Sequence, residues 1–314
     1  MTILIYGDLI LDEYIEGDCN KISPERPIPI VEFKKSEYKL GGAGNVANNL
    51  KQINNDIFVF GSSGKDETSH SIKKLLKKNK INFSLCKIPN LNIPKKTRII
   101  SGQQQIVRID NEKPFFELTK KYSKRILEIF RKKIKKTKIL IISDYGKGSC
   151  EFNLVKKMIQ LANKNKIKVF VDPPKNQNNY SIYKNVYLIK PNFNELRKIN
   201  ENLKINEIEK IKKTSKKLKK YLNCEVVLTT LGSMGMLCCY KNKNILINQY
   251  EEKVYDVSGA GDTVLAVISH LVEKGHDIIT SSKIANYCAG YVVTIKGTAV
   301  IPKSVLKKFE LQIL

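Results

Sequence analysis

From about residue 119 onward the chain alternates between two periods. Lysine-rich segments with apolar residues at helical spacing, at about 119–136, 151–164 and 205–221, each lead to a short apolar run at 139–143, 169–172 and 226–230. A further run at 186–190 leads directly into Pro191-Asn-Phe-Asn-Glu195. An alternating β–α order constrains the fold strongly, because parallel strands need a crossover long enough to hold a helix. The expected architecture is α/β, a doubly wound and mostly parallel sheet flanked by helices. Such a sheet takes its ligands beyond the carboxyl ends of its strands. Asp144, Asp172, Asn192 and Thr230 all fall at those ends, so one rim collects polar side chains before any chemistry is considered.

The N-terminal third departs from this rhythm. Residues 2–6 are an apolar strand running into Gly7-Asp8 with no basic segment before it, a first strand and not a signal peptide. Residues 22–31 hold three prolines, which exclude a central strand and suit an edge or a flap. A helix is expected from Gly41-Gly-Ala-Gly-Asn45 to about 52, a strand at 57–61, a helix at 67–78, and a two-stranded ribbon from 97–100 and 106–110. Runs at 236–240 and 245–248 predict a late hairpin, followed by helices at about 261–274 and 278–294. With no linker, repeat or low-complexity tract, residues 1–314 read as a single domain with a small β lid from about 9–38 and 92–115.

Composition excludes several function classes. No run of eighteen apolar residues exists, so no membrane helix is expected. Seven cysteines without CxxC or Cys/His metal spacing point to a reduced, cytoplasmic protein, and His70, His270 and His276 form no ligand cluster. The formal charge of +26 is spread as lysine over nearly every predicted helix, with no tryptophan. That pattern is a set of solvated faces and not a nucleic-acid interface, and its field favours anionic substrates.

Chemistry concentrates in Asp256-Val-Ser-Gly-Ala-Gly-Asp262, which precedes a long apolar helical run. Glycines let main-chain N–H groups converge on a ligand, and a helix N-terminus adds unpaired donors with a positive dipole end. An ionised Asp262 there can take a proton from an attacking hydroxyl. Anion hole and base together are the apparatus of phosphoryl transfer; a glycine turn whose Asp caps a core helix is the structural alternative. Gly42-Ala-Gly-Asn-Val-Ala47 fits a dinucleotide GxGxxA pattern but follows polar residues, not a buried first strand. Gly61-Ser-Ser-Gly-Lys-Asp66 fails as a Walker loop in spacing and in lacking Ser or Thr after the lysine.

Gly41-Gly42 with Asn45, the Asn192…Glu195 pair, Thr230-Leu-Gly-Ser-Met-Gly235 and Asp256…Asp262 together resemble the motif set of the ribokinase-like (PfkB) sugar kinases, in order and over the whole chain. Gly7-Asp-Leu-Ile-Leu-Asp-Glu-Tyr14, residues 22–31, Gln104-Gln-Ile-Val-Arg-Ile-Asp110 and Ser143-Asp-Tyr-Gly-Lys-Gly148 are similar to the heptose 7-phosphate kinase branch of that family. The resemblance implies ATP-dependent phosphorylation of the anomeric hydroxyl of D-glycero-β-D-manno-heptose 7-phosphate, a step toward nucleotide-activated heptose for surface polysaccharide. It implies Asp262 as base, with the N–H groups of Gly259, Ala260 and Gly261 holding the transferring phosphoryl. Asn192 and Glu195 would hold phosphate oxygens and the water shell of Mg²⁺. Thr230, Gly232 and Gly235 would lie along the nucleotide, with Asn286 near adenine. The sugar would meet Asp8, Asp12, Gly41, Gly42, Asn45 and Asp144, and its 7-phosphate Arg108 and Lys147.

Each assignment has a structural counterpart: Asp8 and Asp144 as turn caps, Asn45 and Asn192 as helix caps, Arg108 and Lys147 as solvated cations, Gly232 and Gly235 as turn glycines. ATP and Mg²⁺ are the implied cofactors, a monovalent cation an optional third, and pairing of exposed lid strands into a homodimer the expected assembly. No membrane or nucleic-acid partner is expected. The HxGH sequence of fused nucleotidyltransferases is absent, so the kinase step alone is expected. A kinase of another sugar or nucleoside, or a basic nucleic-acid-binding protein with an inactive kinase-like fold, are the competing readings.

Overall fold

The computed structural model describes residues 2–54, 56–102, 104–175, 180–249, 254–295 and 297–313. In chain order its elements are β1 (Thr2–Gly7), β2 (Leu9–Ile22), β3 (Pro29–Gly42), α1 (Ala43–Ile53), β4 (Ile57–Ser63), α2 (Glu67–Lys78), β5 (Asn82–Lys87), β6 (Lys95–Ser101), β7 (Gln104–Asn111) and α3 (Phe116–Lys133). The second half adds β8 (Thr137–Ser143), α4 (Phe152–Lys164), β9 (Lys168–Asp172), β10 (Leu188–Ile189), α5 (Phe193–Arg197), α6 (Ile208–Leu222), β11 (Val226–Thr230), β12 (Met236–Tyr240), β13 (Lys243–Ile247), α7 (Ala260–Glu273), α8 (Ile278–Val292) and α9 (Lys303–Ile313).

Strand β1 lies inside the larger sheet, whose order is β13-β12-β11-β10-β9-β8-β1-β4-β5. It runs parallel to β4 on one edge and β8 on the other, and Ile3, Leu4, Ile5 and Tyr6 are fully buried. A strand covered on both faces reads as a continuous apolar run, which is why 2–6 shows no alternation. The pairings from β5 to β11 are parallel, and β12–β13 is the antiparallel hairpin expected from sequence. Edge strand β5 and the terminal α9 carry too weak a period to be read beforehand, whereas the short α5 is the helix that the Asn192 cap opens.

The crossover helices form for visible reasons. In α4 the Glu151 carboxylate caps the Leu154 N–H, while Leu154, Val155, Met158, Ile159 and Ala162 face the core at three- and four-residue spacing. In α6 the buried positions are Ile211, Thr214, Ser215, Leu218 and Leu222, so its lysines populate the solvent side. The charge of the chain is therefore largely a property of helix exteriors. Helix α7 differs: every residue from Asp262 to Val272 is buried, as befits a helix packed between α1 and α8.

The lid is a separate four-stranded sheet of order β3-β2-β6-β7. The proline-marked segment leads into edge strand β3, and β6 and β7 pair antiparallel as the predicted ribbon. Because β2 follows β1 after Asp8 alone, and β3 runs directly into α1, the lid hangs over the carboxyl rim of the larger sheet. No described helix is long and apolar enough to cross a membrane.

Candidate active site

A cleft of about 770 Å³ opens between the lid and the strand ends. Of the residues singled out from sequence, Asp12, Gly41, Gly42, Asn45, Arg108, Asp144, Asn192, Glu195, Thr230, Gly232, Gly259, Gly261 and Asp262 line it. These positions come from seven separate stretches of chain, brought together by the parallel sheet and by the turn into α7.

Asp262 occupies the first turn of α7, behind an N-cap Gly259 with φ of 84°. Glycine is required there twice over: the φ is left-handed, and a Cβ would stand 2.8 Å from the Asn45 Nδ2. Gly261 is less tightly set, since a Cβ on it would lie 3.1 Å from the Lys190 Nζ. The Asp262 carboxylate receives two donors, Asn45 Nδ2 at Oδ2 and the Tyr145 hydroxyl at Oδ1, each at 2.7 Å. Burial pushes its pKa up to about 7; the charge of Asp172 adds to the rise, and the two hydrogen bonds and Lys190 oppose it. Asn45 is itself held, since Asn49 Nδ2 donates to its backbone carbonyl and side-chain oxygen.

On the opposite flank, Asn192 and Glu195 form a reciprocal capping box on α5. The Glu195 N–H reaches Asn192 Oδ1 at 2.9 Å, and the Asn192 N–H reaches Glu195 Oε2 at 2.8 Å. Burial, then the charge of Asp172, raises the Glu195 carboxyl to about 7. The structural reading of this pair holds, and the cap presents both side chains to the cleft. Between the flanks, Lys190 and Asp172 make a buried ion pair of 2.9 Å, both lining the cleft. Burial works against the Lys190 charge, yet Asp172 and Glu195 hold its pKa above the ordinary value.

Among the described residues no group of three or more His, Cys, Asp or Glu could hold a metal ion. A caged metal therefore does not fit, whereas Mg²⁺ carried on a nucleotide with its own waters needs only one or two carboxylates nearby. Glu195 is such a carboxylate on the cleft lining, with both oxygens accepting from Asn192.

Several expected ligands stand elsewhere. Asp8 does not line the cleft: it accepts the N–H groups of Tyr145, Lys147 and Ser149 at 2.8–3.0 Å, which uses both oxygens on the loop after β8. It is a loop anchor because a buried carboxylate is stabilised by converging main-chain donors. Asp144 faces the cleft but also takes the Gly146 N–H at 2.8 Å and the Tyr183 hydroxyl at 2.5 Å, and burial with the Asp8 charge raises it to about 7. Lys147 is spent on Glu112. Gly235 is a turn glycine at φ 84°, where a Cβ would meet the Ile247 carbonyl at 2.0 Å. Asn286 donates to the Asn248 carbonyl at 2.7 Å and does not line the cleft, nor does Ala260. Arg108 lines it while forming a two-pronged pair with Asp110 at 2.8 and 2.9 Å.

Sequence reading missed Tyr145, Lys190, Arg98 and Thr298. Lys190 and Tyr145 follow strand ends and obey the same rim rule as the residues that were found. Arg98 sits opposite Arg108 in the β6–β7 register and binds Asp12 at 2.6 Å, a pairing that only the lid topology creates. Thr298 meets the Tyr14 hydroxyl at 2.8 Å, tying the lid to the loop after α8.

Comparison with known proteins places these features. The model of the pfkB family of carbohydrate kinases matches residues 3–304. The bifunctional protein HldE of Aliarcobacter butzleri is 38% identical over 310 residues, and that of Nitratiruptor 35% over 308. Each match takes in 98% of this chain but only 64% of the relative, so the chain spans somewhat under two thirds of those proteins. Escherichia coli phosphofructokinase-2 in complex with potassium superposes with a TM-score of 0.80 at 17% identity, covering 100% of this chain and 98% of the other. Giardia lamblia ribokinase gives 0.77 at 16%, with 100% and 99% covered. With the family model spanning nearly all of the sequence and the fold matching throughout, the chain belongs to the pfkB family of carbohydrate kinases.

Proposed function

We propose that this carbohydrate kinase transfers the γ-phosphoryl of ATP to the anomeric hydroxyl of a heptose 7-phosphate in the cytoplasm, yielding the 1,7-bisphosphate. The observation that carries the reading is Asp262: a buried carboxyl near 7, held by two neutral donors beside the glycine turn that opens α7. A base poised near the working pH accepts a proton while remaining available in its ionised form. The acceptor O–H breaks and its proton passes to Asp262. The freed oxygen bonds phosphorus as the bridging P–O bond breaks, and ADP leaves with that electron pair. The N–H groups around Gly259–Gly261 and the Lys190 ammonium meet the charge on the moving phosphoryl, and positioning supplies the rest. Mg²⁺, when bound with the nucleotide, would neutralise phosphate charge, with Asn192 and Glu195 facing its water shell.

The acceptor assignment is supported by the N-terminal motifs and by the similarity to the HldE proteins over 98% of this chain. Arg108 and Lys96 give the lid wall two cations for a distal phosphate. ATP consumption across a panel of sugars tests the reading. Heptose 7-phosphate is expected to be turned over; turnover of unphosphorylated hexoses alone would replace the acceptor, and tight, salt-sensitive DNA or RNA binding without ATP turnover would replace the class. A homodimer through the lid is part of the same proposal, since edge strand β3 exposes Phe33 at 67% and β7 exposes Ile109 at 53%. Sedimentation of Phe33→Asp as a lighter species than the unsubstituted chain would support it; equal masses would remove it.

A further inference from the structure

Tyr145 is half-buried, lines the cleft and has no role in the reaction as written above. Its phenol donates to Asp262 Oδ1 at 2.7 Å, on the oxygen that Asn45 leaves open. Its backbone N–H donates to Asp8 Oδ2 at 2.9 Å, and the N–H groups of Lys147 and Ser149 converge on the same carboxylate. The loop from Tyr145 to Ser149 is therefore clamped at several points by one fully buried side chain. A clamp of this kind leaves the phenol little freedom, so its hydroxyl stays aimed at the carboxyl. We propose that Tyr145 is a positioning residue for Asp262: Asp8 fixes the loop, the loop fixes the phenol, and the phenol holds the carboxylate ionised and oriented toward the acceptor. The inference rests on Asp262 being the base.

Two consequences follow from the chemistry. A hydrogen bond donated to a carboxylate stabilises its charged form, so the phenol lowers the proton affinity of Asp262 against the burial that raises it. Burial also raises the Tyr145 pKa well above the ordinary value, which keeps the phenol a donor throughout the physiological range. The other charged groups acting on Asp262 are Asp172 and Lys190 from the ends of β9 and β10, while Asp12 and Arg98 line the same cleft from the lid. None of them donates to Asp262 Oδ1, so the phenol has no substitute at that oxygen.

Carboxyl-¹³C aspartate labelling followed by NMR over a pH series measures this directly, the Asp262 resonance being the one lost in Asp262→Asn. In Tyr145→Phe the midpoint should rise by about one pH unit, the scale of a single hydrogen bond to a charged group. In Tyr183→Phe, which removes the bond to Asp144 instead, it should stay in place. With heptose 7-phosphate and MgATP, the acid limb of kcat in Tyr145→Phe should move in the same direction with KM for ATP unchanged. An unmoved Asp262 midpoint in Tyr145→Phe overturns the proposal, and so does an equal shift in Tyr183→Phe, which would report a general change of burial. Full activity in Asp262→Asn would instead overturn the proton-transfer reading and leave the titration result standing.

Discussion

The two walls of the cleft treat their carboxylates in opposite ways. On the body wall, Asp262 and Glu195 are held by neutral donors from Asn45, Tyr145 and Asn192, and burial lifts both to about 7. On the lid wall Asp12 is locked to Arg98 at 2.6 Å, and on the other face of the lid sheet Glu13 is locked to Lys95 at 2.8 Å. Against its burial penalty, Glu13 is pulled below the ordinary carboxylate range by Lys95 and Thr97. The body is thus equipped to exchange a proton near neutral pH, and the lid to hold charge in fixed pairs. The division follows from position: strand ends and a helix N-terminus supply neutral donors in a dry place, whereas a thin exposed sheet must pair its own charges.

The contrast can be broken by substitution. Asp262→Asn should lower kcat by about 10²–10⁴ with folding retained, measured by steady-state ATP turnover; near-full activity would mean the body wall handles no proton. In the unsubstituted chain kcat should rise with pH through about 7 as Asp262 ionises, and a flat profile would equally remove proton transfer from that wall. Arg108→Ala should raise the KM for a phosphorylated acceptor by about tenfold with kcat unchanged, the scale of one charge-assisted contact. A kcat defect there would blur the division between the walls. Glu195→Ala should cost about 1 kcal/mol of stability through the lost half of the capping box and raise the KM for MgATP a few-fold. Retained stability together with unchanged nucleotide KM would detach the cap from the site.

The smallest expected effect is on stability against pH. Asp144, Glu195 and Asp262 have folded pKa values near 7, above the unfolded carboxyl range. Their contribution is complete below about pH 4 and is lost as pH rises through about 7. Glu13 runs the other way, contributing above its unfolded value and losing that as pH falls. The melting temperature should therefore decline modestly from pH 5 to pH 8, and Asp262→Asn should flatten the decline. A rise over that window would reverse the assignment of the body wall.

Most of the larger sheet was legible because buried parallel strands are continuous apolar runs and their crossover helices keep a clean amphipathic period. Strand β5 was not, because Asn82–Lys87 lies at the sheet edge, where partial exposure mixes polar and apolar residues. The site was legible wherever local geometry demands a residue type: Gly259 for its left-handed φ, Asn192 and Glu195 for the cap, Asp262 for the first turn of α7. The partnerships of Tyr145 and Arg98 were illegible, because Asp262 and Asp12 lie 117 and 86 positions away in sequence. Lys190 stood at a strand end where the rim rule applies, but its pairing with Asp172 was illegible, since it exists only because β9 and β10 are neighbours in the sheet.

The amino-acid order by itself determined the α/β class, the rim that gathers the polar strand ends and the glycine turn before α7, because periodicity and backbone conformation are short-range properties. Tertiary structure alone decided which carboxylates face the cleft. Asp8 and Asp262 each directly follow a glycine at an element boundary, yet the first is consumed by main-chain donors and the second is left beside the cleft. Burial and the donors available at each point set that outcome, and both depend on what packs alongside.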